Sequence, residues 1–192
     1  MSLHEIELQK YNKMWDKQSY RQWSPGENAI DNFLKHCAWK LGDTLVDLGC
    51  GTGRAGAALA ARGLKVVLLD FCTKAVDVED LPVITANIWE LFKTGLQWDW
   101  VYCVDVLEHI PEEKIDDALR SIAQTTRKGG YLQIAMFEDY CGREIGETLH
   151  MTVKNQEWWY TKIFKHMNVF SLGNNLDARG NEGYAKFVVR SR

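Results

Sequence analysis

The chain has 192 residues, 46% of them hydrophobic and 26% charged, and a formal net charge of −3 at neutral pH. This composition excludes a disordered chain and gives room for one domain with a sizeable core, but hardly for two. The small acidic excess offers no general attraction to nucleic acid, and no apolar run approaches the roughly 20 residues that span a bilayer. No secretory leader pattern opens the chain. Five scattered cysteines (Cys37, Cys50, Cys72, Cys103, Cys141) form no Cys-x-x-Cys pair and lie near no histidine at zinc-ligand spacing. Free thiols in a reducing compartment are expected, hence a cytoplasmic protein with no metal and neither nucleic acid nor membrane as partner.

In chain order, residues 8–17 predict a short helix carrying Tyr11, Met14 and Trp15, followed by a turn at Ser24-Pro25-Gly26. Residues 29–39 place Ile30, Phe33, Leu34 and Cys37 at three- and four-residue spacings, a helical stripe. Strand and helix signals then alternate. Residues 44–48 read as a strand entering a glycine cluster, and 55–61 as an alanine-rich helix ended by Gly63. Residues 65–69 read as a strand ending at Asp70, 73–78 as a short helix, and 82–86 and 100–104 as two further strands. Pro111 starts a helix with Glu112 and Glu113 in its first turn, running to about residue 126 and closed by Lys128-Gly129-Gly130. Residues 131–136 read as a fifth strand. Such alternation implies a mostly parallel sheet with helices on both faces. The tail differs: Asn155 caps a helix to about residue 167, and the runs 168–172 and 184–189 have no helix between them. They predict an antiparallel hairpin across a loop rich in glycine and asparagine.

The central motif is Val46-Asp47-Leu48-Gly49-Cys50-Gly51-Thr52-Gly53-Arg54. A strand turning sharply into a helix needs glycine where backbone approaches a ligand. From Gly51, the residues Gly51-Thr52-Gly53-Arg54-Ala55-Gly56 also satisfy G-x-G-x-x-G, and Asp70 lies near the distance of a ribose-binding acid. A nicotinamide-binding oxidoreductase is therefore one reading. Against it, Asp47 sits inside the turn, where a carboxylate repels a pyrophosphate but suits an ammonium or sulfonium. The chain is also short for a second nucleotide-binding half, and its tail is antiparallel.

Residues 46–53 resemble the first motif of class I S-adenosylmethionine-dependent methyltransferases, hydrophobic-Asp-x-Gly-x-Gly-x-Gly. The likeness continues in Leu69-Asp70-Phe71, in Ala86-Asn87-Ile88, in the run from Asp99 to Pro111, and in Lys128-Gly129-Gly130-Tyr131-Leu132. It covers nearly the whole chain, in order. The resemblance implies an α/β fold: a seven-stranded mostly parallel sheet of order 3-2-1-4-5-7-6, its last strand antiparallel, with helices on both faces. It implies one methyltransferase domain over residues 1–192, with 1–28 as a flap over the cofactor.

The same resemblance assigns Gly49, Gly51 and Gly53 to the loop under the methionine half of S-adenosylmethionine, and Asp47 to its amino group. Asp70 would take both ribose hydroxyls, unless it merely caps residues 73–78; Phe71 would pack on the adenine. Asn87 stands where an aspartate is commoner, yet its side-chain oxygen can still accept from the adenine amine, with Ile88 closing on the ring. The backbone carbonyl near Val104 would take the cofactor ammonium. Within the flap residues Tyr11, Trp15, Tyr20, Arg21 and Trp23, Arg21 either reaches the cofactor carboxylate or lies on the surface with its stem on a tryptophan.

Methyl transfer from sulfonium is an in-line displacement, so position supplies most of the catalysis, and a general base matters only where the acceptor must lose a proton. His150, in the connection after the fifth strand, and His109, on the cofactor rim, are the candidate catalytic residues; each has a purely structural alternative. His4, His36 and His166 are expected to stand apart, and one of Trp158, Trp159 and Tyr160 to line an acceptor pocket. The motifs of base-amine and cytosine-ring methylation are missing, and so is a catechol-type metal cluster. The expected reaction is methyl transfer to an oxygen or nitrogen of a small molecule, yielding S-adenosylhomocysteine. A cofactor-binding scaffold without turnover is the other class.

Overall fold

The computed structural model describes residues 3–176 and 182–192. Seven strands form one sheet in the order β3-β2-β1-β4-β5-β7-β6. They are β1 (Thr44–Leu48), β2 (Lys65–Asp70), β3 (Val83–Thr85), β4 (Trp98–Val104), β5 (Thr126–Ala135), β6 (Asn168–Leu176) and β7 (Glu182–Arg190). Pairs among β1 to β5 are parallel, while β7 runs antiparallel to both β5 and β6. This is the expected order and direction. Residues 177–181, where the sequence reading expects a loop rich in glycine and asparagine, lie outside the described residues.

The central strands are covered on both sides, and their side chains alternate between two cores as a period of two requires. Val46, Leu48, Val101, Cys103, Leu132 and Ile134 point to one face. There α5 (Ile115–Thr125) contributes Ile115, Leu119 and Ile122, and α6 (Gln156–Phe164) contributes Trp159 and Ile163. On the other face Leu45, Trp100, Tyr102 and Tyr131 meet Ile30 and Phe33 of α3 (Pro25–His36) and Ala55 and Leu59 of α4 (Arg54–Ala60). Each such side chain stabilises the fold by roughly 1.5–3 kcal/mol when fully buried. Pro25 occupies the first turn of α3, where its missing N–H costs nothing, and the Asn155 side chain accepts the Trp158 amide at 3.0 Å to start α6.

Several boundaries differ from the sequence reading. The helix expected from Pro111 opens instead as a 3₁₀ turn, Glu112–Lys114, before α5, and 73–78 shrinks to a 3₁₀ turn at Thr73–Ala75. Gly129 and Gly130 do not close a helix; they lie inside β5. A Cβ at Gly129 would stand 2.1 Å from the Val189 carbonyl oxygen, and one at Gly130 2.5 Å from that of Val101, so close strand approach requires both glycines. A 3₁₀ helix at Ile88–Thr94, absent from the sequence reading, links β3 to β4 with Ile88 and Leu91 buried; its Phe92 amide donates to Ser121 Oγ of α5 at 3.0 Å.

At the N-terminus, α1 (Leu3–Met14) and the single turn α2 (Gln18–Arg21) lie across the ends of β1 and β2. Tyr11 and Met14 are buried with Cys72 and Leu149. No helix among the described residues is long and apolar enough to cross a membrane.

Candidate active site

The site sits where β1 turns into α4. Gly49 has φ +68°, and a Cβ there would fall 2.5 Å from a Val106 methyl, so both conformation and space demand glycine. The turn is tied to the end of β2. Leu69 O accepts the Gly49 amide at 2.7 Å, and Asp70 Oδ2 accepts the Gly51 amide at 3.0 Å. Asp70 Oδ1 takes the Cys72 amide at 2.8 Å. Burial raises the Asp70 carboxyl, while the Cys72, Gly51 and Phe71 amides pull it back.

Asp47 is more exposed to strain of this kind. It is buried, its Oδ2 has no hydrogen-bond partner, and burial pushes its carboxyl up to about 7. The Gly56 backbone amide offsets part of that cost. Among the described residues no ion pair neutralises Asp47 or Asp70.

Two adjacent cavities open beside this turn. The smaller, of about 90 Å³, is lined by Asp70, Phe71, Asn87 and Ile88. The larger, of about 410 Å³, is lined by Asp47, Gly51, Val104, His150 and a ring of aromatics that includes Trp23, Phe137, Tyr140 and Tyr184. Trp15, Tyr20, Gly49, Asp105 and His109 border both. The flap residues Trp15 and Tyr20 thus form a wall between the lobes, their rings 4.7 Å apart.

The rim after β4 carries the titratable groups. Asp105 is held at φ +55°, an unfavourable conformation for a non-glycine residue, and burial pushes its carboxyl up to about 7. Glu108 is fully buried; its Oε1 accepts the Ala135 amide at 2.9 Å, and its Oε2 has no partner. Burial, with the charge of Asp105 adding to it, raises the Glu108 carboxyl far above the usual range. The Glu108 carbonyl accepts the Met151 and Thr152 amides at 2.7 and 2.9 Å, which draws the 149–152 segment onto the rim. His150 thereby reaches His109, ring centroids 4.6 Å apart. Burial lowers both imidazoles, and His150 lowers His109 further, so both are neutral near pH 7.

The sequence expectations meet this geometry unevenly. Asp47, Gly49, Gly51, Asp70, Phe71, Asn87, Ile88, Val104, His109 and His150 all line the two cavities. Gly53 lines neither: it is the left-handed residue, φ +79°, from which α4 starts. Arg21 lines neither, because its guanidinium pairs with Asp77 and donates to the carbonyls of Ala75 at 3.0 Å and Trp15 at 3.3 Å. It pins α2 to the segment after β2 rather than facing a ligand. Trp158, Trp159 and Tyr160 border neither cavity; α6 packs on the far side of the sheet, with Trp159 fully buried in that core.

His4, which sequence alone sets aside, comes to Asn87: its Nδ1 is 3.2 Å from Asn87 Oδ1. Glu108 lies inside the run from Asp99 to Pro111, and the sequence assigns it no separate role. Nothing in local sequence marks a carboxylate 42 residues before His150 as its neighbour, and only the β5 connection brings them together.

The methyltransferase domain family matches residues 15–181. Among curated proteins, the chain is 27% identical over 150 residues to the ubiquinone biosynthesis O-methyltransferase of Nitrosomonas europaea; the match covers 66% of this chain and 60% of that relative's length. Among solved structures, a Pyrococcus horikoshii protein superposes with a TM-score of 0.68 at 12% identity, covering 93% of each chain. The 1,6-didemethyltoxoflavin-N1-methyltransferase of Burkholderia thailandensis, solved with its substrate and S-adenosylhomocysteine, superposes at 0.63 with 16% identity, covering 98% of this chain and 87% of that one. With the sheet order and the site at the β1 turn, the match over most of its length makes this chain a member of the methyltransferase domain family.

Proposed function

We propose that the chain transfers a methyl group from S-adenosylmethionine to an oxygen or nitrogen of a small, flat acceptor. The carrying observation is the pair of buried carboxyls that brackets the glycine turn. Neither has a cationic partner among the described residues, and Asp47 Oδ2 has no partner at all. A diphosphate would add negative charge to this site, whereas an ammonium and a sulfonium would relieve it.

The two lobes fit the halves of that cofactor. In the smaller, Asp70 has lone pairs left for ribose hydroxyls, with Phe71 and Ile88 for the adenine faces and Asn87 for its edge. Asn87 Oδ1, 3.2 Å from His4 Nδ1, keeps a second lone pair for the adenine amine. The larger lobe places Asp47 and Val104 for the amino-acid end and leaves an aromatic-walled space for the acceptor. The cofactor supplies the activated methyl; the protein's part is to align acceptor, methyl carbon and sulfur, and to exclude water. That the Nitrosomonas relative is an O-methyltransferase and the Burkholderia structure holds a small heterocycle supports this acceptor class.

The test is methyl transfer from labelled S-adenosylmethionine to a panel of hydroxylated and aminated aromatic small molecules, read as S-adenosylhomocysteine formed. Acceptor-dependent product is expected. Cofactor binding without product across the panel would leave a non-catalytic binding protein instead.

A further inference from the structure

We propose that Glu108, His109 and His150 form a binding site for a divalent first-row transition-metal ion of the manganese or zinc kind, facing the acceptor lobe. One ligand atom from each of the three lies within 4.8 Å of the other two. Three ligands around one ion at about 2.1 Å stand roughly 3.4–3.6 Å apart. Closing onto an ion therefore takes a shift of about 0.7 Å per ligand atom.

Two further observations point to a ligand. Glu108 Oε2 is fully buried and has no hydrogen-bond partner, while Oε1 is fixed by the Ala135 amide. A buried carboxylate oxygen left alone is costly, and a cation beside it removes that cost. The histidines are also turned as metal ligands are. His150 Nδ1 lies 2.6 Å from the Phe137 carbonyl, and His109 Nδ1 lies 3.2 Å from that of Leu149. A carbonyl only accepts, so the Phe137 contact puts the proton on His150 Nδ1 and leaves its Nε2 a lone pair. His109 Nδ1 has two partners, the Leu149 carbonyl and, at 2.6 Å, the Tyr11 hydroxyl, and both leave its Nε2 turned away from them. An imidazole oriented through Nδ1–H by a backbone carbonyl is the usual support of a ligating histidine. Two imidazoles and one carboxylate select a transition metal over calcium and leave coordination positions open.

His109 and His150 line the same lobe as the glycine turn, so an open coordination position is available to an acceptor. On the methyltransferase reading, on which this role rests, the ion takes a hydroxyl oxygen of the acceptor. The hydroxyl loses its proton to water at neutral pH. The oxygen lone pair then forms the C–O bond as the methyl–sulfur bond breaks, its electron pair staying on sulfur. Neither neutral imidazole need act as base, and the acceptor is a hydroxyl rather than an amine.

The test is calorimetric titration of the chelator-treated full chain with MnCl₂ and with ZnCl₂, repeated with S-adenosylhomocysteine present. One equivalent of at least one ion should bind, and His150→Ala should weaken it by about tenfold or more, with Glu108→Gln doing the same. His166→Ala, on the surface beside Asp116, should leave binding intact. If His150→Ala fails to fold by circular dichroism, His150→Gln replaces it. No binding of either ion, or equal binding by folded His150 and Glu108 variants, overturns the metal site. Binding of S-adenosylhomocysteine without metal sinks this inference alone; metal binding without S-adenosylhomocysteine keeps the site and sinks the methyl-transfer reading.

Discussion

Asp70 Oδ2 accepts the Gly51 amide at 3.0 Å, so the acid at the end of β2 holds the glycine turn that follows β1. The same carboxylate therefore has a structural and a ligand-binding part, and a substitution must separate them. Asp70→Asn keeps one acceptor oxygen but loses the charge. We expect S-adenosylhomocysteine affinity to fall by about ten- to a hundredfold, the scale of charged hydrogen bonds in a buried site, with a smaller loss of thermal stability. Calorimetry and thermal melts on one sample read both; unchanged affinity would remove Asp70 from the ribose.

Gly49→Ala should be damaging in a different way. The new methyl meets Val106 at 2.5 Å in a left-handed backbone conformation, which costs about 1–3 kcal/mol by overpacking alone. A lowered melting temperature together with weakened cofactor binding is expected. Gly95→Ala, with equal φ constraint but nothing within 4 Å of the added methyl, should leave cofactor binding alone.

Asp47 predicts a pH dependence of stability in the ligand-free protein. Its folded-state carboxyl, at about 7, lies above its unfolded value near 3.9. Between those values the folded state binds more protons, so stability from this group declines as pH rises from about 4 to about 7 and is flat above. Asp47→Asn removes that proton. The variant should gain on the wild type across the window, by at most about 1.4 kcal/mol per pH unit. Urea melts at pH 5 and pH 8 check this, and a constant difference between the two proteins would contradict it.

Trp159→Ala should separate fold from site. Trp159 is fully buried behind the sheet and borders neither cavity. A loss of about 3–5 kcal/mol in stability is expected, with the affinity of the folded variant for S-adenosylhomocysteine unchanged.

The strands were legible as short apolar runs, and the helix missing from the tail forces an antiparallel pair; the order of the strands in the sheet followed only from the family resemblance. Legible too were Asp47, Gly49 and Asp70, which lie in contiguous motifs. What sequence missed depends on distance along the chain. Arg21 has the charge to meet a carboxylate, and Asp77, 56 residues away, is the one it finds. His4 comes to Asn87 only because α1 folds over the end of β2. Gly129 and Gly130 resemble a helix stop, yet the crowding they answer comes from neighbouring strands. The Glu108–His109–His150 cluster needs two amides to Glu108 O to draw a distant segment onto the rim, and no local pattern announces such a contact.

The central claim is that this acid-bracketed turn takes an S-adenosyl amino acid and not a dinucleotide diphosphate. Side-by-side calorimetry with S-adenosylhomocysteine and NAD tests it most directly. Saturable binding of the first and none of the second is predicted; a folded protein that binds NAD, or that ignores S-adenosylhomocysteine at millimolar levels, would contradict it.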